Sequence, residues 1–179
     1  MGCIVQMRIR GYTVEPVEIL LVEDDPGDVR LTAEALKECG FPFHLTVAKD
    51  GDEALNCLYR VGKYINFPRP ELVLLDLNLP TINGREVLKI IKHDKILSQI
   101  PIIVLTTSRD EQDIAASYNL HANSFITKPD DLERFIDVIK VIQNYWVNIS
   151  RLPSHAGDNS KVQESEENEK IGTGSDQKR

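Results

Sequence analysis

The chain has 179 residues, 41% of them apolar, and a formal net charge of −7. That is one domain of ordinary size with enough apolar material for a packed core, and the acidic balance disfavours nonspecific binding to DNA or to an anionic membrane. No apolar stretch approaches the ~20 residues of a membrane span. The three cysteines, Cys3, Cys39 and Cys57, form no CxxC pair, and their odd number argues against a disulfide framework. The composition therefore reads as that of a reduced, cytoplasmic protein.

Residues 1–16 have no clear period and end at Glu15-Pro16, so an ill-ordered lead-in is expected there. Its apolar run is too short for a signal peptide. Gly2 is a weak myristoylation signal, since Gln6 stands where Ser or Thr is required. From Val17 the pattern sharpens. Ile19-Leu20-Leu21-Val22 is a buried-strand run ending in Glu23-Asp24-Asp25. Pro26 and Gly27 turn the chain into a helix that carries Val29, Ala33, Leu36 and Cys39 on one face and stops at Gly40. Residues 43–48 alternate as a short strand. Asp50 and Glu53 have the spacing of a capping box, and the helix they open presents Ala54, Leu55, Leu58 and Val61. Residues 62–69 form a Gly- and Pro-rich loop.

The run Leu72-Val73-Leu74-Leu75 follows, and it ends in Asp76-Leu77-Asn78-Leu79-Pro80. Gly84 leads into a helix with Val87, Leu88, Ile91 and Ile96. Pro101 opens a fourth strand, Ile102-Ile103-Val104-Leu105, which ends in Thr106-Thr107-Ser108. Residues 110–119 read as a weaker helix with Ile114, Ala115 and Tyr118. Ser124-Phe125-Ile126 is the last strand, ending in Thr127-Lys128-Pro129. The final helix is expected over about residues 130–148. Leu132, Phe135, Ile136, Ile139, Ile142 and Trp146 make one apolar stripe, expected to face the sheet; Val138, Val141, Tyr145 and Ile149 make a second. Residues 154–179 are polar and charged and are expected to be a disordered acidic tail. The domain proper is then 17–153.

Five strands alternating with five helices predict an α/β fold, a flavodoxin-like (βα)5 doubly wound parallel sheet with strand order 2-1-3-4-5. In such sheets function gathers beyond the carboxyl ends of the strands. Those ends deliver Glu23, Asp24 and Asp76, then Thr106, then Lys128. Three carboxylates in one crevice call for protonation or for a cation. Hard oxygen ligands, with the Asn78 carbonyl as a further one, suit Mg²⁺. A carboxylate beside Mg²⁺, a lysine and a hydroxyl is arranged to accept a phosphoryl group, with Asp76 as the in-line nucleophile.

The motifs Val-Glu-Asp-Asp at 22–25, Leu-Asp-Leu-Asn-Leu-Pro at 75–80, Leu-Thr-Thr-Ser at 105–108 and Ile-Thr-Lys-Pro at 126–129 resemble those of the receiver domain of two-component response regulators. The resemblance spans residues 17–150. Within that family the chain is most similar to the single-domain subgroup partnered with phytochrome-type kinases. Shared features are Glu-Asp-Asp-Pro-Gly-Asp after the first strand, the long loop at 60–69, Ala-Asn-Ser-Phe-Ile-Thr-Lys-Pro at 122–129 and Tyr-Trp…Arg-Leu-Pro at 145–153.

The resemblance implies a stand-alone regulator phosphorylated on Asp76 by a sensor histidine kinase. It implies Asp24 as the direct Mg²⁺ ligand and Glu23 as one acting through water. Thr106 and Lys128 match the phosphoryl-sensing pair and Phe125 the aromatic switch, and the Lys128–Pro129 bond is cis in the family. It also implies catalysis limited to the protein's own phosphorylation and dephosphorylation. No helix-turn-helix and no basic stripe is present, so output by protein–protein contact with an unidentified downstream target is expected, and the second apolar stripe of helix 5, more than covering the sheet requires, points to a homodimer through that helix. Direct contact with nucleic acid or membrane is not implied. Two other readings compete with the receiver reading. A haloacid-dehalogenase-type phosphatase needs Asp-x-Asp, and Asn78 occupies the second position. A phosphorylation-independent binding module needs a broken acidic site, and no expected residue is missing.

Overall fold

Four unbroken apolar residues have no polar face, so residues 72–75 are stable as a strand only where both faces are covered. The computed structural model describes residues 16–153 and, as backbone, two short paired strands at Arg8–Ile9 and Tyr12–Thr13. The main elements are β1 (Val17–Val22), α1 (Pro26–Glu38), β2 (Phe43–Ala48), α2 (Gly51–Leu58), β3 (Leu72–Leu75), α3 (Gly84–His93), β4 (Ile102–Thr106), α4 (Glu111–Asn119), β5 (Ser124–Thr127) and α5 (Leu132–Gln143). The five strands form one parallel sheet in the order β2-β1-β3-β4-β5, as expected. Within the expected lead-in, Arg8–Ile9 and Tyr12–Thr13 pair as a small antiparallel ladder. The expected tail at 154–179 lies outside the described residues.

Because side chains alternate along a strand, each central strand supplies both sides of the sheet. Leu20, Val22, Val73, Leu75, Ile102 and Val104 pack with α2 and α3 through Ala54, Leu58, Val87, Leu88 and Ile91. Ile19, Leu21, Leu72, Leu74, Ile103 and Leu105 pack on the other side with Leu36 of α1 and Phe135, Ile139 and Ile142 of α5.

The helix starts follow local chemistry. Asp25, Asp50, Asn83, Asp110 and Asp131 each cap a helix by accepting a backbone N–H within the first turn. At α2 the expected box is modified: Asp50 accepts from Glu53 N–H, but Glu53 reaches back to the N–H of Lys49. Hydrogen bonds from Lys63, the Lys49 N–H and Tyr64 hold the Glu53 carboxyl down at about 2.

Several helical faces differ from the periodic reading. α2 ends at Leu58 and α3 at His93, so Val61 and Ile96 lie beyond them and are exposed. α4 turns Asp113 and Ser117 inward and leaves Ala115 and Tyr118 exposed, so its inner face is polar. Leu132, in the first turn of α5, is exposed rather than packed on the sheet, and the inward face of the helix begins at Phe135. After Gln143 the chain widens into a π-helical turn, Asn144–Ile149, where Trp146 and Val147 still pack inward. Val138 also packs partly against the core, while Val141, Tyr145 and Ile149 stay on the surface.

Gly84 opens α3 against the end of β3, its N–H donating to the Leu77 carbonyl at 3.0 Å. A Cβ there would collide with the Asp76 carbonyl oxygen and lie 2.7 Å from Leu77 Cα. Overpacking against backbone costs about 1–3 kcal/mol. Gly84→Ala is therefore expected to lower the unfolding free energy by a matching amount and so to lower the urea midpoint, and an unchanged midpoint would contradict this packing.

Candidate functional site

The sheet order reverses direction between β1 and β3, and this is the point at which a crevice opens beyond the strand ends. Val22 lies opposite Leu75, so the next residues, Glu23 and Asp76, leave the sheet side by side. The Asp76 N–H still donates to the Val22 carbonyl at 3.0 Å. Thr106 ends β4 opposite Thr127, and the Lys128 N–H that follows donates to the Thr106 carbonyl at 2.7 Å. Register alone thus brings four of the expected residues to one rim.

Lys128 ties the rim together. Its Nζ lies 2.5 Å from Glu23 Oε2, 2.7 Å from Asp28 Oδ2 and 2.7 Å from Asp76 Oδ2. Glu23, Asp76 and Lys128 are all buried. Burial disfavours the Lys128 ammonium, but its hydrogen bonds to Asp28, Asp76 and Glu23 outweigh that cost and hold it well above the usual lysine range. Glu23 responds in the other sense. Burial raises its carboxyl above the ordinary range, even against the lowering effect of Lys128. One ammonium shared three ways does not neutralise the group it touches.

The remaining predicted residues differ in exposure. Asp76 Oδ1 accepts the Asn78 N–H at 2.9 Å. Asn78 is exposed, and its amide points to the hydroxyls of Thr106 at 3.5 Å and Thr107 at 3.4 Å. Thr106 is fully buried, and its Oγ1 accepts from the Ser108 N–H at 3.4 Å. Asp24 is exposed beside Glu23. Phe125 is half-buried against the core on the α2–α3 side. Among the described residues no peptide bond is cis, so Lys128–Pro129 is trans, contrary to what the resemblance implies; trans is the lower-energy form of an X–Pro bond.

Three contacts were not legible in the sequence. Asp28 has the appearance of a residue placed for the helix dipole, yet it reaches a lysine 100 positions away. Ser108 Oγ donates to Asp113 Oδ2 at 2.6 Å, and Arg85 of α3 pairs with the same carboxylate. Ser108, whose N–H bonds to Thr106 Oγ1, joins this network to the end of β4. Finally, the Phe125 N–H donates to the Tyr118 hydroxyl at 3.3 Å, which ties α4 to β5.

Carboxylates of Glu23, Asp24 and Asp76 with the Asn78 carbonyl are the donors that could hold a divalent cation. They are all hard oxygens, and the surplus negative charge around Lys128 favours one. Among the described residues no three Asp, Glu, His or Cys side chains are already drawn together as a metal cage. A cation that keeps several of its waters and takes few carboxylates does not need one.

Comparison with known proteins agrees with this geometry. A family model described as the response regulator receiver domain matches residues 19–140. Response regulator Rcp1 of Synechocystis sp. is 45% identical over 139 residues, covering 78% of this chain and 95% of that protein. The crystal structure of the phosphorylated cyanobacterial phytochrome response regulator RcpA has a TM-score of 0.76, with 45% identity over 78% of this chain and 100% of that one. The Mn²⁺-bound form of response regulator Rcp1 has a TM-score of 0.75 at the same identity and coverage.

Proposed function

The chain belongs to the response regulator receiver domain family, which works in two-component phosphorelay signalling, and on that premise we propose that Asp76 accepts a phosphoryl group from a sensor histidine kinase with Mg²⁺ as cofactor. The observation that carries this reading is the enclosure of Asp76 at the switch point of the sheet, with one carboxylate oxygen held by Lys128 and the other by the Asn78 N–H. Those two hydrogen bonds fix the carboxylate's plane, which is what an in-line attack requires. An Asp76 oxygen forms a bond to phosphorus as the bond from phosphorus to the donor nitrogen breaks, and that electron pair leaves with the donor. Asp24, Asp76 and the Asn78 carbonyl, with Glu23 acting through water, would hold the Mg²⁺, which when bound would supply charge compensation for the phosphoryl oxygens.

Lys128 and the Thr106 hydroxyl are the groups that sense the product. Thr106 is buried behind Asn78, so it must move outward to meet a phosphoryl oxygen. That movement draws on the Ser108 loop and opens space behind Phe125, which turns inward. The haloacid-dehalogenase alternative is disfavoured by Asn78, whose amide engages two hydroxyls and offers no carboxyl proton. Catalysis is confined to the protein's own phosphorylation and dephosphorylation.

The kinase is of phytochrome type by analogy with the proteins the chain resembles. The regulator acts as a stand-alone domain in the cytoplasm and signals through protein contact, without binding nucleic acid or membrane. No described helix is long and apolar enough to cross a membrane.

A second copy of the chain is proposed as one partner. Val141, Tyr145 and Ile149 form an exposed apolar face running from α5 into the π-helical turn, with exposures of 68%, 51% and 66%. Such faces mark partner surfaces, and identical chains meet most often about a two-fold axis. Phosphorylation favours this pairing, since Phe125 lies on the neighbouring strand.

Three outcomes test these readings. Incubation with acetyl phosphate and Mg²⁺ is expected to add one base-labile phosphoryl group, lost in Asp76→Asn; equal labelling of that variant would refute the acceptor assignment. Metal titration is expected to show a large loss of Mg²⁺ affinity in Asp24→Ala and a smaller one in Glu23→Ala, and the reverse ranking would overturn their roles. Sedimentation is expected to show a dimer strengthened by phosphorylation, with a coupling of about 1–3 kcal/mol, and a monomer for Val141→Asp combined with Tyr145→Asp. A monomer in both states of the unaltered chain would rule out the pairing.

A further inference from the structure

We propose that Asp28 is a positioning residue for Lys128: it holds the ammonium in the unphosphorylated site and competes with the phosphoryl group for it. The inference rests on the phosphoacceptor reading of Asp76. An ammonium has three N–H donors, and here each has a carboxylate partner, Glu23, Asp28 and Asp76. No donor is left for a phosphoryl oxygen. A contact between Lys128 and the phosphoryl group therefore requires one existing bond to be exchanged.

The three partners differ in what release costs. Glu23 has a side chain only 4% exposed, so a Glu23 carboxylate abandoned by Lys128 stays desolvated. Asp76 carries the phosphoryl group itself. The Asp28 side chain is 32% exposed, and water can replace the ammonium there. Asp28 also lies in the first turn of α1, its N–H bonded to Asp25 Oδ1 at 2.9 Å. The positive end of the helix continues to favour its charge once the lysine has gone. Asp28 is the partner that yields at least cost.

Its effect is to set a threshold. While Asp28 holds one N–H, the ammonium stays centred among the carboxylates, and the phosphoryl group must outbid it. Asp28→Asn keeps the shape and removes the competing charge, so the activated state should be gained more easily.

The experiment is a titration of the full chain with beryllofluoride, a phosphoryl mimic, in Mg²⁺, comparing wild type, Asp28→Asn and Asp28→Glu, with thermal melts of each. Asp28→Asn is expected to bind about two- to five-fold more tightly, the worth of a partly exposed ion pair. Asp28→Glu is expected to return toward wild type. The gain should persist in ~1 M NaCl, where the Debye length is about 3 Å and action at a distance is screened. A merely structural role would lower the melting temperature and bring no gain in affinity. Equal or weaker binding by Asp28→Asn, or a gain abolished by salt, overturns the proposal and leaves the Asp76 reading standing. Wild-type protein that neither binds the mimic nor labels on Asp76 overturns both.

Discussion

A single ammonium group shared by three carboxylates holds the functional end of this domain together. Lys128 comes from the edge of the sheet, Glu23 and Asp76 from its centre, and Asp28 from the first turn of a helix on one face. Taking that many charges out of water is expensive, and in a low-dielectric setting it is offset only by close contacts and satisfied donors. The geometry meets that condition for the lysine but not for the carboxylates, which remain in excess. The same imbalance makes the site receptive to a cation. It also makes the group sensitive to any change in charge on Asp76.

The scaffold under this site is rigid where the site needs it to be. Alternate residues of β1, β3 and β4 are buried on opposite faces, so neither Glu23 nor Asp76 can shift without disturbing two packed layers. Gly84 lets α3 begin against the Asp76 peptide itself. The α4 side differs. α4 presents Asp113 and Ser117 inward and is held by Arg85, Ser108 and the Tyr118 hydroxyl. A helix docked through polar contacts has less apolar surface to lose when it moves, so it belongs to the lower-stability part of the domain. That places the less tightly packed element beside Thr106 and Phe125.

The fold was legible because its signals are local. Unbroken apolar runs at 19–22, 72–75 and 102–105, and the capping box opened by Asp50, mark elements whose type follows from period and cap chemistry alone. Strand order followed from right-handed crossovers and domain size. Five rim residues could be placed by counting to the strand ends. Periodicity failed where an element stops early or faces something other than an apolar layer. Val61 and Ile96 are exposed because their helices end short of them, Leu132 lies exposed in the first turn of α5, and α4 turns its polar side inward.

What the sequence by itself determined was the set of elements, their parallel order and the residues that each strand delivers to one rim, because chain connectivity and side-chain alternation dictate these. Only the tertiary structure decided how those residues bond. The reach of Lys128 across the rim to Asp28, the burial that raises Glu23 and the Ser108–Asp113–Arg85 network join residues far apart in the chain. Each depends on distance and desolvation, quantities that come into being only when the packed layers bring separate segments together.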